Sequence, residues 1–278
     1  MTWWAINVRT AAERTDAVGA WLVAHTGQAV EERDDGTLVA FAPDERAAAD
    51  LVEELGREIP EPIEIGPRQV DAVDWSTRWR EGLGARRVGQ LTIIPSWLPE
   101  ALEPGPLTII LDPEMAFGSG EHGSTRVALT LLGRLLHAGD RVLDLGSGSG
   151  ILAMAAIKLG AARAIGIEVD PEANEVAVRN AACNGVADRT EFLEGDATAL
   201  APLVGPADLL LSNILRATNT ALLPVIIRAL RPGGLAIFSG MEHSESEEFR
   251  RTLSAAGFTV GQEALDSGWW GVAAERPG

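Results

Sequence analysis

Lysine is almost missing from this chain: Lys158 stands alone in 278 residues, and arginine supplies nearly all the positive charge. Acids exceed bases so far that the formal net charge is -17. A surface of that sign repels nucleic-acid phosphates and anionic membranes and favours a basic partner. Cysteine is equally scarce; with Cys183 alone, no intrachain disulfide forms. No apolar run approaches the roughly 20 residues that cross a bilayer. Met1 to Thr10 has no basic segment leading into an apolar one, so no signal peptide is expected. Internal repeats and low-complexity tracts are absent too. The expectation is a cytoplasmic monomer with no membrane partner and no direct nucleic-acid partner.

What is present is ample for a core: 46% of the residues are hydrophobic, enough for one large domain or two smaller ones. Residues 1–60 read as strand, helix, two strands and helix. Trp3 to Val8 is the first strand, and Val18, Trp21 and Leu22 mark a helix over Ala12 to His25. Asp34-Asp35-Gly36 signals a hairpin within Val30 to Ala42, and Ala48, Leu51, Val52, Leu55 and Ile59 repeat at helical spacing. That order resembles a ferredoxin-like α+β unit with no catalytic constellation. Pro60, Pro62, Gly66 and Pro67 then suggest a linker, followed by a helix over Asp71 to Leu83 in which Trp75 and Trp79 serve packing. Residues 61–83 are thus expected to be linker and linker helix. Residues 84–278 form the second domain, with short strands at Leu91 to Ile94 and Leu107 to Leu111. From Gly139 onward apolar strands alternate with helices, as in a mostly parallel sheet, and a hairpin around Asp266-Ser267-Gly268 closes the chain.

Four segments carry candidate chemistry. The first is Val142 to Gly150, VLDLGSGSG, at a strand-to-helix turn. Gly146, Gly148 and Gly150 let a ligand approach the backbone. The third glycine falls one residue earlier than in a dinucleotide fingerprint, and Asp144 just before the turn would repel a pyrophosphate. Asp144 suits an ammonium group or an ordered water, so S-adenosylmethionine, cationic and free of phosphate, fits better. The second is IGIEVD, Ile165 to Asp170, where Glu168 lies 22 positions after Gly146 and can accept both hydroxyls of a ribose. That spacing suits NAD equally. Asp170 before Pro171 reads as a helix cap. After the third strand, Asp196 can bond an adenine amine or serve the turn.

The third segment is Ala116 to Arg126, AFGSGEHGSTR, a loop leading into an apolar helix that Ser124 or Thr125 would cap. His122 has no partners at metal-ligand spacing, so no metal is expected. The fourth is LLLSNIL, Leu209 to Leu215, which places Asn213 at a strand end, facing a crevice or making a turn.

Taken together these stretches resemble the PrmA family, the ribosomal protein L11 methyltransferases. The likeness rests on DWSTRWREGLGARRVGQLTIIPSW (Asp74 to Trp97), DPEMAFGSGEHGSTR (Asp112 to Arg126) and LDLGSGSGILAMAAIKLGA (Leu143 to Ala161). SNIL (Ser212 to Leu215), RPGGLAIFSG (Arg231 to Gly240) and the terminal GWWGVAAER continue it. The loop A-F-G-x-G-x-H-x-x-T together with N-I-L is the specific part. The resemblance implies a seven-stranded Rossmann-like class I S-adenosylmethionine methyltransferase domain and a ferredoxin-like substrate-recognition domain at residues 1–60. It implies methylation of lysine side chains and of the N-terminal amine of ribosomal protein L11. Cofactor positions fall on Thr125, Gly146, Glu168 and Asn213, with Phe117 beside the methyl donor; Asn213 and Phe117 are the expected catalytic residues. Glu168 stands where the family usually has aspartate, and Arg216-Ala217-Thr218 replaces small residues after N-I-L. A small-molecule methyltransferase and a non-catalytic S-adenosylmethionine-binding protein are the competing readings.

Overall fold

The computed structural model describes residues 3–10, 14–26, 30–32, 36–59, 64–70, 84–98, 105–112, 118 and 120–278. The chain divides into two compact units, Met1–Glu81 and Gly82–Gly278.

In the first unit β1 (Trp3–Arg9), α1 (Thr15–Thr26), β2 (Glu31–Glu32), β3 (Leu38–Ala42), α2 (Glu45–Glu58) and β4 (Glu64–Val70) follow in order. The sheet runs β2-β3-β1-β4, antiparallel throughout, which is the ferredoxin-like arrangement. Alternate residues Ile6 and Val8, and Leu38, Ala40 and Ala42, turn to one face and meet Val18 and Leu22 of α1 and Ala48, Leu51 and Leu55 of α2. Asp44 caps α2 by accepting from Ala47 N at 2.8 Å.

One expectation is corrected here. Glu64–Val70, assigned to the linker, is a strand paired along β1 from Trp3↔Val70 to Arg9↔Glu64. The Gly66-Pro67 pair misled the reading. Proline lacks an N–H, but β4 is an edge strand, with one side free of any ladder partner among the described residues. The first unit therefore runs beyond residue 60. Asp34 and Asp35 of the expected hairpin, and the expected helix with Trp75 and Trp79, lie outside the described residues; Gly36 beside them has φ +77°.

The second unit opens with a small sheet of β5 (Arg86–Val88), β6 (Leu91–Pro95) and β7 (Thr108–Leu111), followed by α3 (Gly123–Leu135). Then come β8 (Arg141–Leu145), α4 (Ile151–Lys158), β9 (Arg163–Glu168), α5 (Pro171–Cys183), β10 (Thr190–Glu194) and α6 (Ala197–Val204). The chain ends with β11 (Ala207–Asn213), α7 (Arg216–Ala229), β12 (Leu230–Glu242), α8 (Ser246–Ala255), β13 (Thr259–Asp266) and β14 (Trp269–Glu275). The seven strands lie in the order β10-β9-β8-β11-β12-β14-β13, and only β14 runs antiparallel to its neighbours.

Central strands covered on both faces carry continuous apolar runs, as Leu209–Leu211 does in β11. Val142, Leu209, Leu211 and Ile237 face α3 and α4, while Leu143, Leu145, Leu210 and Phe238 face α7 and α8. The chain leaves β8 in one direction through β9 and β10, then returns to add β11 and β12 on the other side. Ligands of such sheets bind at this switch point, outside the carboxyl ends of the strands.

Candidate functional site: the switch-point crevice

The glycine turn joins β8 to α4 at the switch point. Gly146, Gly148 and Gly150 have φ of 70°, 50° and 80°, backbone that side chains disfavour. A Cβ on Gly146 would stand 2.7 Å from Ile214 Cγ2, and one on Gly150 would stand 2.9 Å from Phe192 Cζ. Gly166 in β9 belongs to the same packing, although the sequence reading passed over it. Its Cβ would lie 2.6 Å from Phe192 Cδ1 and 2.8 Å from Ser147 Oγ. A glycine inside a strand signals such close approach.

Glu168 ends β9 and reaches across to the turn. Its Oε2 accepts from Gly148 N at 3.0 Å, and its Oε1 accepts from Val169 N at 2.8 Å and Asp170 N at 3.1 Å. A carboxylate offers about four acceptor sites, so engaging both hydroxyls of a ribose requires Glu168 to release a backbone N–H.

Asp144, next to the turn, is fully buried, and among the described residues neither of its oxygens has a hydrogen-bond partner. Burial pushes its carboxyl up to about 7; the Ala153 N–H opposes this without reaching hydrogen-bond geometry, and the charge of Glu168 adds to it. A buried, unpartnered carboxyl under a glycine turn fits a ligand that brings a cation and does not fit a pyrophosphate.

Asn213 ends β11 and is buried. Its Nδ2 donates to Thr125 Oγ1 at 3.3 Å, and its Oδ1 has no partner among the described residues. Thr125 lies inside the first turn of α3, which corrects the reading of Ser124 or Thr125 as its cap. The N-cap is His122, without a side-chain cap bond. Gly123, the first residue of α3, packs against Trp269, where a Cβ would come within 2.6 Å of Cδ1.

The described residues around the start of α3 are bonded on two sides. Arg126 donates to Asp266 from Nε at 2.6 Å and from Nη2 at 2.9 Å, and to the Glu121 carbonyl. These bonds hold the Asp266 carboxyl down at about 2. His122 Nδ1 and Ser124 Oγ are hydrogen-bonded at 2.7 Å, and the imidazole lies 4.2 Å from the Trp269 ring. Burial, then the charge of Arg126, lowers its pKa. On the other side Ser149 Oγ donates to Gly118 O at 2.7 Å. Asn180 of α5 donates to both Ser149 O at 3.1 Å and Asp112 O at 3.0 Å, and accepts from Asp112 N. One helical turn away, Asn184 accepts from Ile110 N at 2.8 Å and donates to Ile110 O at 2.6 Å.

Asp144, Gly146, Gly148, Glu168, Thr125 and Asn213 therefore converge where β8, β9 and β11 end. Asp196 follows the end of β10, one residue after Gly195, whose N–H donates to Glu168 O at 2.8 Å. It is exposed and caps α6, accepting from Thr198 N at 2.7 Å, which lowers its pKa. Phe117 lies outside the described residues. Among the described residues no His, Cys, Asp and Glu side chains gather as a metal-holding group.

The sequence model of a family described as Ribosomal protein L11 methyltransferase (PrmA) matches residues 2–277. The ribosomal protein L11 methyltransferase of Thermus thermophilus is 35% identical over 266 residues, 96% of this chain and 97% of that one. That of Pelotomaculum thermopropionicum is 36% identical over 244 residues, 87% and 79% of the two chains. Among solved structures, the ribosomal protein L11 methylase of Lactobacillus delbrueckii subsp. bulgaricus has a TM-score of 0.63 at 30% identity, over 70% of this chain and 100% of that one. The chain belongs to the ribosomal protein L11 methyltransferase family, PrmA, and is an S-adenosylmethionine-dependent methyltransferase.

Proposed function

We propose that this chain methylates ribosomal protein L11 at lysine side chains and at its N-terminal amine. The carrying observation is the Asn213 carboxamide. It is held from one end by Thr125, its acceptor oxygen is free among the described residues, and it sits beside the glycine turn. When bound, S-adenosylmethionine supplies an electrophilic methyl group on a sulfonium, open to in-line attack by a neutral amine. Asp144 provides an anionic seat for an ammonium group. Glu168 accepts hydroxyls, Asp196 accepts from an amine, and Gly146 and Gly148 admit the ligand to the backbone. Asn213 Oδ1 accepts from an N–H of the incoming amine and so turns its lone pair toward the methyl group.

A free lysine, with pKa about 10.4, is neutral in fewer than roughly one molecule in a thousand at pH 7. Desolvation in the crevice lowers that pKa. Positioning supplies much of the remainder, so no strong general base is required.

The first unit acts as the recognition module for this basic protein, aided by the net charge of -17. The enzyme works as a cytoplasmic monomer without direct contact to nucleic acid or membrane; among the described residues no helix is long and apolar enough to cross a membrane. Mass spectrometry of purified L11 after incubation with the enzyme and S-adenosylmethionine tests the proposal. Methyl increments on lysines and the N-terminus are expected, and an unmodified L11 overturns it.

A further inference from the structure

Asn219 lies on α7 in line with Leu222, Leu223 and Ile226, yet it is polar and has no exposed surface. Ser212 Oγ donates to its Oδ1 at 2.7 Å, and its Nδ2 donates to Ile214 O at 2.9 Å and to Ser239 O at 3.1 Å. Ser212 and Ile214 are the two chain neighbours of Asn213. One buried amide thus takes the side-chain hydroxyl of the residue directly before, and the backbone carbonyl of the residue directly after, the one read above as orienting the amine. The linkage continues outward. Ser239 Oγ donates to Ser124 O at 2.8 Å, and Ser124 precedes Thr125, which receives the Asn213 amide. The bonds close a ring around Asn213 through α7, β12, α3 and β11.

On the outer side Ile214 packs closely on two glycines: a Cβ on Gly146 would lie 2.7 Å from its Cγ2, and one on Gly240 would lie 2.4 Å from its carbonyl oxygen. Ser212 and Ile214, on either side of Asn213, are thus both tied to Asn219.

We propose that Asn219 is a positioning residue for methyl transfer, acting on the Asn213 carboxamide through Ser212 and Ile214. The proposal rests on the reading of Asn213 as the group that orients the amine. It differs from a role in stability alone by requiring that the effect pass through Asn213. An error of about 1 Å in placing a catalytic group can cost about 100-fold in rate.

The test is a double-mutant cycle on turnover with L11 and saturating S-adenosylmethionine, joined to calorimetric cofactor titration. Asn219→Ala and Ser212→Ala are each placed in the wild-type and the Asn213→Ala backgrounds. In the wild-type background Asn219→Ala is expected to lower kcat by about 10- to 100-fold, with cofactor Kd within about twofold of wild type. Ser212→Ala, which removes one bond and little bulk, is expected to lower kcat less and in the same direction. In the Asn213→Ala background neither is expected to lower kcat further. Losses that multiply in the double variants, or wild-type kcat in both singles, overturn the proposal. If Asn219→Ala does not fold, Ser212→Ala decides alone by the same criteria. Wild-type kcat in Asn213→Ala refutes the reading of Asn213 and this inference with it. An impaired Asn213→Ala with multiplying losses refutes only the role of Asn219.

Discussion

The amide of Asn213 donates to Thr125 Oγ1 at 3.3 Å, joining the end of β11 to the first turn of α3 across 88 positions. The same amide keeps its oxygen free among the described residues. Asn213→Ala is expected to lower turnover by about 10²- to 10³-fold with little change in the unfolding midpoint. Thr125→Val removes the acceptor but keeps the shape, and is expected to lower turnover by about tenfold, the worth of one modest hydrogen bond. Steady-state kinetics on L11 at saturating cofactor check both. Wild-type turnover in Asn213→Ala removes that residue from the reaction.

Asp144 makes cofactor binding depend on pH. Its folded-state pKa is raised from 3.8 to about 7, so the protonated form contributes stability that is full below 3.8 and lost as pH rises through about 7. An ammonium bound over Asp144 favours the ionised form, and binding below pH 7 therefore releases a proton. Affinity is expected to rise by up to about tenfold per unit as pH approaches 7 and then to level off. Asp144→Asn should flatten the profile. Calorimetry on either side of pH 7, in buffers of different ionisation enthalpy, reads the released proton; an affinity that does not change with pH contradicts the assignment.

Gly166→Ala places a methyl group against Phe192 and Ser147. Overpacking of this kind costs about 1–3 kcal/mol, or roughly 2–4 °C in Tm per kcal/mol for a unit of this size. Because Ser147 belongs to the glycine turn, cofactor affinity should fall together with Tm. Differential scanning calorimetry and cofactor titration are the measurements, and an unchanged Tm would show that the strand gives way freely.

A chain starting at Gly82 lacks the first unit without cutting β4. It should still bind S-adenosylmethionine and lose methylation of intact L11. Undiminished activity on L11 would assign recognition to the second unit. A cut near Pro67, the boundary suggested by the proline-glycine cluster, would divide β4.

The difference between those two cuts shows where local sequence signals run out. The parallel strands were legible because strands buried on both faces are apolar along their length, as in Leu209 to Leu211. β4 was not, since proline and glycine punctuate an edge strand and a linker alike. α8 was missed because its charged surface leaves only Phe249, Leu253 and Ser246 buried. α6 was missed because Pro202 interrupts its short helical pattern. Within the site, Asp144 and Glu168 are legible as acids at strand ends close to glycines, and Asn213 as a polar residue ending an apolar run. Asn219, Asn180 and Gly166 are not, because their partners lie elsewhere in the chain. A polar residue at apolar register, as Asn219 is with Leu222 and Ile226, was the one signal available for it.

Asn180 and Asn184 also bear on how the protein behaves in a crowded cell. β7 is the last strand of its small sheet. Its outward N–H and C=O groups at Ile110 and Asp112 meet the two carboxamides, where another strand would otherwise pair. The match is geometric: helix positions four apart lie about 6 Å from one another, close to the roughly 6.6 Å between alternate strand residues. Open strand edges recruit strands from other molecules and seed aggregation. Here the helix supplies a counterfeit strand of two amides, so along Ile110 and Asp112 the edge offers no template to a second chain.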